Sequence, residues 1–249
     1  MARLLPRFCA LALTVSLFLS PAQAQEGTVT YDITVQIEIE LPPELEAMRD
    51  QIPSSRTSTR MLHFRGEEGL LVGVPSEESV SEVPREGIQF RLAGSNPDEA
   101  RYTNLATGTV VDKKDFLGRT FRIMGEVSTY DWRLTGEQST YMGYACQKAI
   151  ATKDSTTIEA WFTPEIPVPL GPGAYGGLPG LILVVSVDDG QQTYTATEIS
   201  TEPLAEGVLT PPEGGRAVTG EEFQAIVEEK MEEMGATRGR GGARFIIRN

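Results

Sequence analysis

The chain is poor in the residues from which metal centres and disulfide scaffolds are built. It has one histidine, His63, which rules out a multi-histidine di-metal centre and argues against any site that needs several imidazoles. It has two cysteines, Cys9 and Cys146. Cys9 falls in a segment that reads as a cleaved leader, so no disulfide framework can form within the chain that remains. Lysine is scarce, confined to Lys113, Lys114, Lys148, Lys153 and Lys230. Positive charge as a whole is short: 22 Lys+Arg stand against 35 Asp+Glu, a formal net charge of −13 over 249 residues. Without residues 1–24, which hold Arg3 and Arg7 and no acid, 20 basic and 35 acidic residues leave −15. Such a chain repels phosphate backbones and anionic lipid headgroups, which sets aside nucleic acid and polybasic membrane docking. The acid surplus suits a salty habitat or an ordinary soluble surface equally. No Walker-type loop, nucleophile elbow, zinc-ligand pattern or dinucleotide fingerprint occurs, so neither a metal nor a cofactor is expected.

What is present begins with an export signal. Arg3 and Arg7 precede an almost wholly apolar run at 8–19, Pro21 breaks it, and Ala22-Gln23-Ala24 supplies the small-x-small pattern read by signal peptidase. Cleavage is expected between Ala24 and Gln25. The run is shorter than the ~20 residues of a membrane-spanning helix. Cys9 stands at the start of the apolar run and makes no lipoprotein cleavage box. The mature chain is therefore expected to be periplasmic or secreted, without a transmembrane segment or lipid anchor. The 40% apolar content of the whole chain is enough to bury a core.

Past the leader, the pattern is that of strands. Val29, Tyr31, Ile33, Val35, Ile37 and Ile39 alternate with polar residues, the period of a half-buried strand. Pro42-Pro43 ends it, a short helix suits 43–49, and 54–59 reads as loop. Short strands are predicted at 61–64, 70–74, 101–105, 109–113, 119–124, 131–135, 144–152, 157–163, 181–187 and 193–199, with a weak one at 88–92. Lys153-Asp154-Ser155 and Asp188-Asp189-Gly190 are hairpin turns in this reading. The second falls well short of a calcium loop. Trp132 is expected as a core anchor. The run at 181–187 is apolar on both faces, so that strand should be covered on both sides. Near the end, Thr219-Gly220-Glu221-Glu222 forms a capping box. Phe223, Ile226, Val227, Met231 and Met234 then make one stripe of a helix that Gly235 should stop. Residues 235–243 read as flexible, and 245–247 as a last edge strand. No repeat or linker divides the chain. The expectation is a mainly β (α+β) single domain over 25–249. It should be a curved antiparallel sheet or half-barrel of about 9–11 strands, with a short N-terminal helix and an amphipathic C-terminal helix.

One segment carries a resemblance. Gly143-Tyr144-Ala145-Cys146-Gln147-Lys148-Ala149 is followed by Ala160-Trp161-Phe162-Thr163-Pro164-Glu165-Ile166-Pro167, then Gly171-Pro172, then Gly177-Leu178-Pro179-Gly180-Leu181-Ile182. These ordered motifs resemble the GLPGLI family, exported proteins of the Bacteroidota and relatives, named for the last string. The resemblance covers roughly residues 141–200 and implies export without implying an activity or a catalytic residue. More weakly, the order of motifs resembles exported domains with a LolA-like half-barrel, a curved antiparallel sheet wrapped around helices. That likeness concerns fold and does not establish function.

The same residues can be read by their chemistry. Pro164, Pro167 and Pro169 cannot donate to a sheet ladder, and Gly171, Gly173, Gly176 and Gly177 admit conformations closed to other residues. The corner they form either turns the chain between strands or makes a lip at the mouth of a concave sheet. Trp161, Phe162, Pro164, Ile166, Tyr175, Leu178 and Pro179 are the lip candidates. Cys146 is either a buried structural thiol, a mixed-disulfide site or a nucleophile. Glu165, between prolines, would have a raised pKa if buried, but lacks a partner carboxylate. His63 alternates onto the less apolar face of its strand. The functional expectation is a non-enzymatic envelope protein carrying a lipid or other hydrophobic ligand. The alternative is an interaction module for another envelope protein.

Overall fold

The computed structural model describes residues 25–37, 54–75 and 97–237. The expected signal peptide with Ala24, the helix at 43–49, the weak strand at 88–92 and the strand at 245–247 lie outside the described residues; Gln25 lies within them.

The strands are β1 (Glu26–Gln36), β2 (Ser55–Arg65), β3 (Glu68–Gly73), β4 (Ala100–Asn104), β5 (Thr109–Phe116), β6 (Arg119–Glu126), β7 (Arg133–Tyr141), β8 (Tyr144–Lys153), β9 (Thr156–Thr163), β10 (Leu181–Val187), β11 (Gln192–Ser200) and β12 (Arg216–Thr219). Helix α1 (Gly220–Thr237) follows. All twelve strands form one long curved sheet in the order β12-β6-β5-β4-β3-β2-β1-β11-β10-β9-β8-β7. Two antiparallel meanders, β1 to β6 and β7 to β11, meet where β1 pairs with β11. Only β12 runs parallel to its neighbour, β6. The fold is thus mainly β, as the strand pattern predicts. Twelve strands exceed the expected range partly because the four residues of β12 carry no alternation to announce them.

In β1, Val29, Tyr31 and Ile33 are buried while the residues between them are half-exposed, as the period of two requires. Its length overturns one expectation. Residues 55–59, read as loop, pair with β1 from Asp32 to Gln36 and form the first half of β2. Polar residues tolerate this because their hydroxyls pair across the strands. Thr34 Oγ1 lies 2.9 Å from Thr57 Oγ1, and Thr59 Oγ1 donates to Asp32 Oδ1 at 2.8 Å. The turn after β8 uses Asp154 and Ser155 at φ 50° and 69°, the left-handed pair that a two-residue hairpin demands.

Two clusters make up the central core. One gathers Val29, Tyr31, Leu62, Phe64, Leu71, Cys146, Leu181 and Leu183 with Ile166, Val168 and Leu170. The other holds Ala149, Ile158, Ala160, Phe162, Ile182 and Val185 with Leu178. β10 supplies both, so its predicted double burial is found. A bulge between Ile182 and Val184 lets Leu183 and Val184 turn to the same cluster. The segment joining β9 to β10, residues 164–180, packs Ile166, Val168 and Leu170 into the first cluster and Leu178 into the second.

Helix α1 opens on the predicted capping box: the Glu222 amide donates to Thr219 Oγ1 at 3.2 Å, and the Thr219 amide donates to Glu222 Oε2 at 2.8 Å. Phe223 and Ile226 pack on Phe116, Phe121, Ile123 and Val218 at the end of the sheet. The helix differs from expectation in two ways. It continues through Gly235 to Thr237, since an interior glycine costs only about 1 kcal/mol. Met231 is 54% exposed, because α1 meets the sheet along β6 and β12 and, through Phe223, at the end of β5, and the apolar stripe outruns that contact.

Candidate functional site

The Pro/Gly segment at 164–180 is a strap, and the splaying of two strands explains its position. β10 pairs with β11 only from Val184 to Val187. Before that point the strap takes up the free donors of β10. The Leu181 amide donates to Ile166 O at 2.9 Å and the Ile182 amide to Leu170 O at 3.0 Å. Tyr31 OH closes the gap from β1 by donating to Ile182 O at 2.6 Å. Glycine is required at two contacts. A Cβ on Gly171 would stand 2.8 Å from Ile182 Cβ, and one on Gly180 would stand 2.1 Å from Thr163 O. The Gly177–Ile182 string therefore has a structural account. Gly177 turns at φ 85°, Leu178 is buried, Pro179 is exposed, Gly180 abuts the end of β9, and Leu181 and Ile182 enter opposite clusters.

The expected lip residues separate accordingly. Phe162, Ile166 and Leu178 are core side chains, while Pro164 and Pro179 are exposed. Trp161 is half-buried, with Lys148 Nζ 6.0 Å from its ring centroid. That ammonium lies 3.1 Å from Glu159 and 3.5 Å from Glu137, and its hydrogen bond to Glu159 above all holds its pKa above the ordinary lysine value. Tyr175 is half-buried and belongs to a different cluster from Trp161.

The reactive candidates are Cys146, Glu165 and His63. Cys146 is 1% exposed and free, and burial pushes its thiol pKa up. Glu165 is exposed and accepts the Ala145 amide at 2.8 Å. His63 alternates to the face opposite Leu62 and Phe64, and so away from the cluster that holds Cys146. Burial holds its imidazole pKa below the ordinary value. Glu165 thus sits beside Cys146, on the amide of the preceding residue, and its charge adds to the rise of the thiol pKa, while His63 faces away and makes no Cys–His pair. Among the described residues, no group of histidine, cysteine and carboxylate side chains is placed to hold a metal ion.

The strap instead walls a cleft that sequence reading missed. A cavity of about 20 Å3 lies beneath it; leucine and valine residues form much of its wall, and Arg101, Thr103, Ser128 and Tyr175 add polar groups beside the chain at Gly171 and Gly176. An open depression of about 740 Å3 shares Leu105, Val127, Ser128 and Gly176 with that cavity. Glu67, Thr107, Thr109, Glu126, Thr129 and Tyr130 line the depression. Arg101 Nη1 is held 2.7 Å from Asp112 Oδ2, while its Nε is buried without a partner among the described residues. Arg60 pairs with Glu99 at 2.7 Å. An aromatic chain flanks the cleft: the ring centroids of Tyr130 and Trp132 are 5.4 Å apart, those of Tyr130 and Tyr175 5.5 Å, and those of Tyr175 and Tyr194 5.3 Å. Trp132, the expected anchor, ties this chain to the strap by donating its indole N–H to Gly176 O at 2.9 Å. Burial raises the pKa of all three tyrosines, while the positive charge of Arg101 works against it at Tyr130 and Tyr194. No local motif could announce a site drawn from β4, the strap, β11 and the segment before β7.

A family model described as a protein of unknown function, Porph_ging, matches residues 150–184. The match spans the end of β8, β9, the strap and the start of β10. No curated protein matches the chain. Among solved structures the chain is similar to PNGF-II in its P21 crystal form, with TM-score 0.53 and 16% identity over 83% of this chain. It is similar also to PNGF-II in the C2 form, with TM-score 0.51 and 18% identity over 81% of this chain. The matched part is 34% and 33% of those chains, so this chain spans about a third of their length. At such identity the likeness is one of fold. No described helix is long and apolar enough to cross a membrane.

Proposed function

We propose that this is an exported, non-catalytic protein of the cell envelope that binds a small ligand in the cleft beside the strap. The observation that carries the reading is the pairing of a small, largely apolar cavity, into whose wall Arg101, Thr103 and Ser128 are built, with a wide open depression, rimmed by half-buried aromatic rings. Export is supported by the leader pattern of residues 1–24. A non-catalytic role is supported by the burial of the Cys146 thiol and by His63 facing away from it. The expected hydrophobic ligand or lipid suits the cleft less well. Ile166, Val168 and Leu170 pack into the core cluster, and the depression sets hydroxyls and the Glu67 and Glu126 carboxylates beside Leu105, Val127 and Pro169. A polar ligand matches that lining.

Native mass spectrometry of the mature protein, purified from its own envelope fraction without detergent, tests the reading. The expected result is extra mass of a polar small molecule that leaves on denaturation. A bare chain that also shows no chemical-shift change around Tyr130 on addition of envelope metabolites would overturn it. One observation favours the alternative of a protein partner. β7 is an exposed strand at the edge of the sheet, paired with β8 alone. Such an edge can accept a strand from another protein. Substituting Ser139 or Thr140 by proline should then abolish capture of that partner and leave ligand mass unchanged.

A further inference from the structure

We infer that the cleft takes an α-carboxylate, that of a free amino acid or of a short peptide's C-terminus, with Arg101 as its anchor and Glu67 and Glu126 facing the amino end. The inference rests on the cleft being a binding site, as proposed above.

The size of the cavity sets the first limit. About 20 Å3 accommodates one or two water-sized groups, enough for the oxygens of a carboxylate and too little for a larger head. The chemistry of its wall sets the second. Arg101 is held at Nη1 by Asp112, which fixes the guanidinium plane and leaves Nε buried without a partner among the described residues. A guanidinium edge with a free donor matches the planar geometry of a carboxylate, and the Thr103 and Ser128 hydroxyls stand in the same cavity wall.

Charge then selects among carboxylates. Asp112 already balances Arg101, and Glu99 balances Arg60. The mature chain carries −15, so a simple anion is repelled on approach. A zwitterion is not. Glu67 and Glu126 line the open depression, which shares Leu105, Val127, Ser128 and Gly176 with the cavity, and offer an ammonium group its counter-charge. The depression leaves room for more than one residue, and the Tyr130 ring lines it.

Calorimetric titration of the mature protein with trialanine, trialanine C-terminal amide, N-acetyl-trialanine and free alanine is the test. Trialanine should bind, and its amide should bind about tenfold more weakly or not at all. Acetylation should cost about several-fold, through the loss of the ammonium contact. Free alanine binding as well as trialanine would identify an amino-acid site; tighter binding of the peptide would identify a peptide terminus. Arg101→Gln should abolish the difference between acid and amide. Because that variant also disturbs Asp112, Glu67→Gln/Glu126→Gln is the companion: both residues are exposed, so the fold should persist while trialanine, but not its acetylated form, loses affinity. Equal binding of acid and amide, or binding of neither, overturns the inference. A native ligand without a carboxylate, found by mass spectrometry, overturns it while leaving the binding function standing. Absence of any ligand removes both.

Discussion

Cys146 shows how placement decides chemistry for a single side chain. Its thiol is shielded by Val29, Leu62, Leu183 and the strap, and burial raises its pKa. A neutral, enclosed thiol is a poor nucleophile. Native protein should therefore resist alkylation and react only once denaturant is added; rapid labelling of folded protein would contradict the burial. Glycine makes the same point through backbone space. Gly180→Ala places a methyl against Thr163 O and should destabilise by about 1–3 kcal/mol. Gly125→Ala meets nothing within 4 Å and should unfold at nearly the wild-type denaturant midpoint. If the two variants melt alike, the close approach at Gly180 is not as described.

The strap is the element on which the centre of the fold depends. It carries Ile166, Val168 and Leu170 into one cluster and Leu178 into the other, and it accepts the β10 amides that β11 leaves free. Truncating Ile166 or Leu170 to alanine removes buried methyl groups and should cost about 2–5 kcal/mol, read as a lowered urea midpoint. The loss should be cooperative, since the strap binds the two clusters together. Helix α1 is a more separable element. Thr219→Ala removes the oxygen that accepts the Glu222 amide and should cost about 1 kcal/mol. Because α1 packs on the sheet end through Phe223 and Ile226, away from the central clusters, that loss should appear first as faster amide exchange in α1, with β8 to β10 unchanged.

Taken together, the buried tyrosines make stability depend on alkaline pH. Tyr31, Tyr102, Tyr130, Tyr141, Tyr175 and Tyr194 all have pKa values raised above the ordinary 10.0, chiefly by burial. Cys146 is raised above 9.0 for the same reason. In the folded protein these groups keep their protons where the unfolded chain loses them. Above the unfolded pKa values the unfolded state thus binds fewer protons, and stability falls as pH rises. The thermal midpoint should begin to drop past about pH 9, as the unfolded thiol ionises, and fall steeply past about pH 10. A midpoint flat through that range would mean that the tyrosines ionise in place. Tyr31→Phe should flatten the decline at the expense of the hydrogen bond to Ile182 O.

Local chemistry was readable from the chain itself: the alternation of β1, the hairpin at Asp154-Ser155, the capping box at Thr219 and the double burial of β10. Each depends on a period or a spacing of a few residues, which the sequence states directly. The polar first half of β2 was hidden because only the length of β1 beside it makes it a strand. The resemblance at residues 141–200 picked out the right segment, yet it could not say that Phe162, Ile166 and Leu178 face inward. Proline and glycine dictate how the strap bends; where it lands depends on β10 and β11 parting nearly twenty residues further on. Arg101, Ser128, Tyr130 and Tyr175 share a cleft for the same reason. Burial and proximity are settled between remote segments, by which surfaces exclude water from one another, and only the folded arrangement of the sheet decides that.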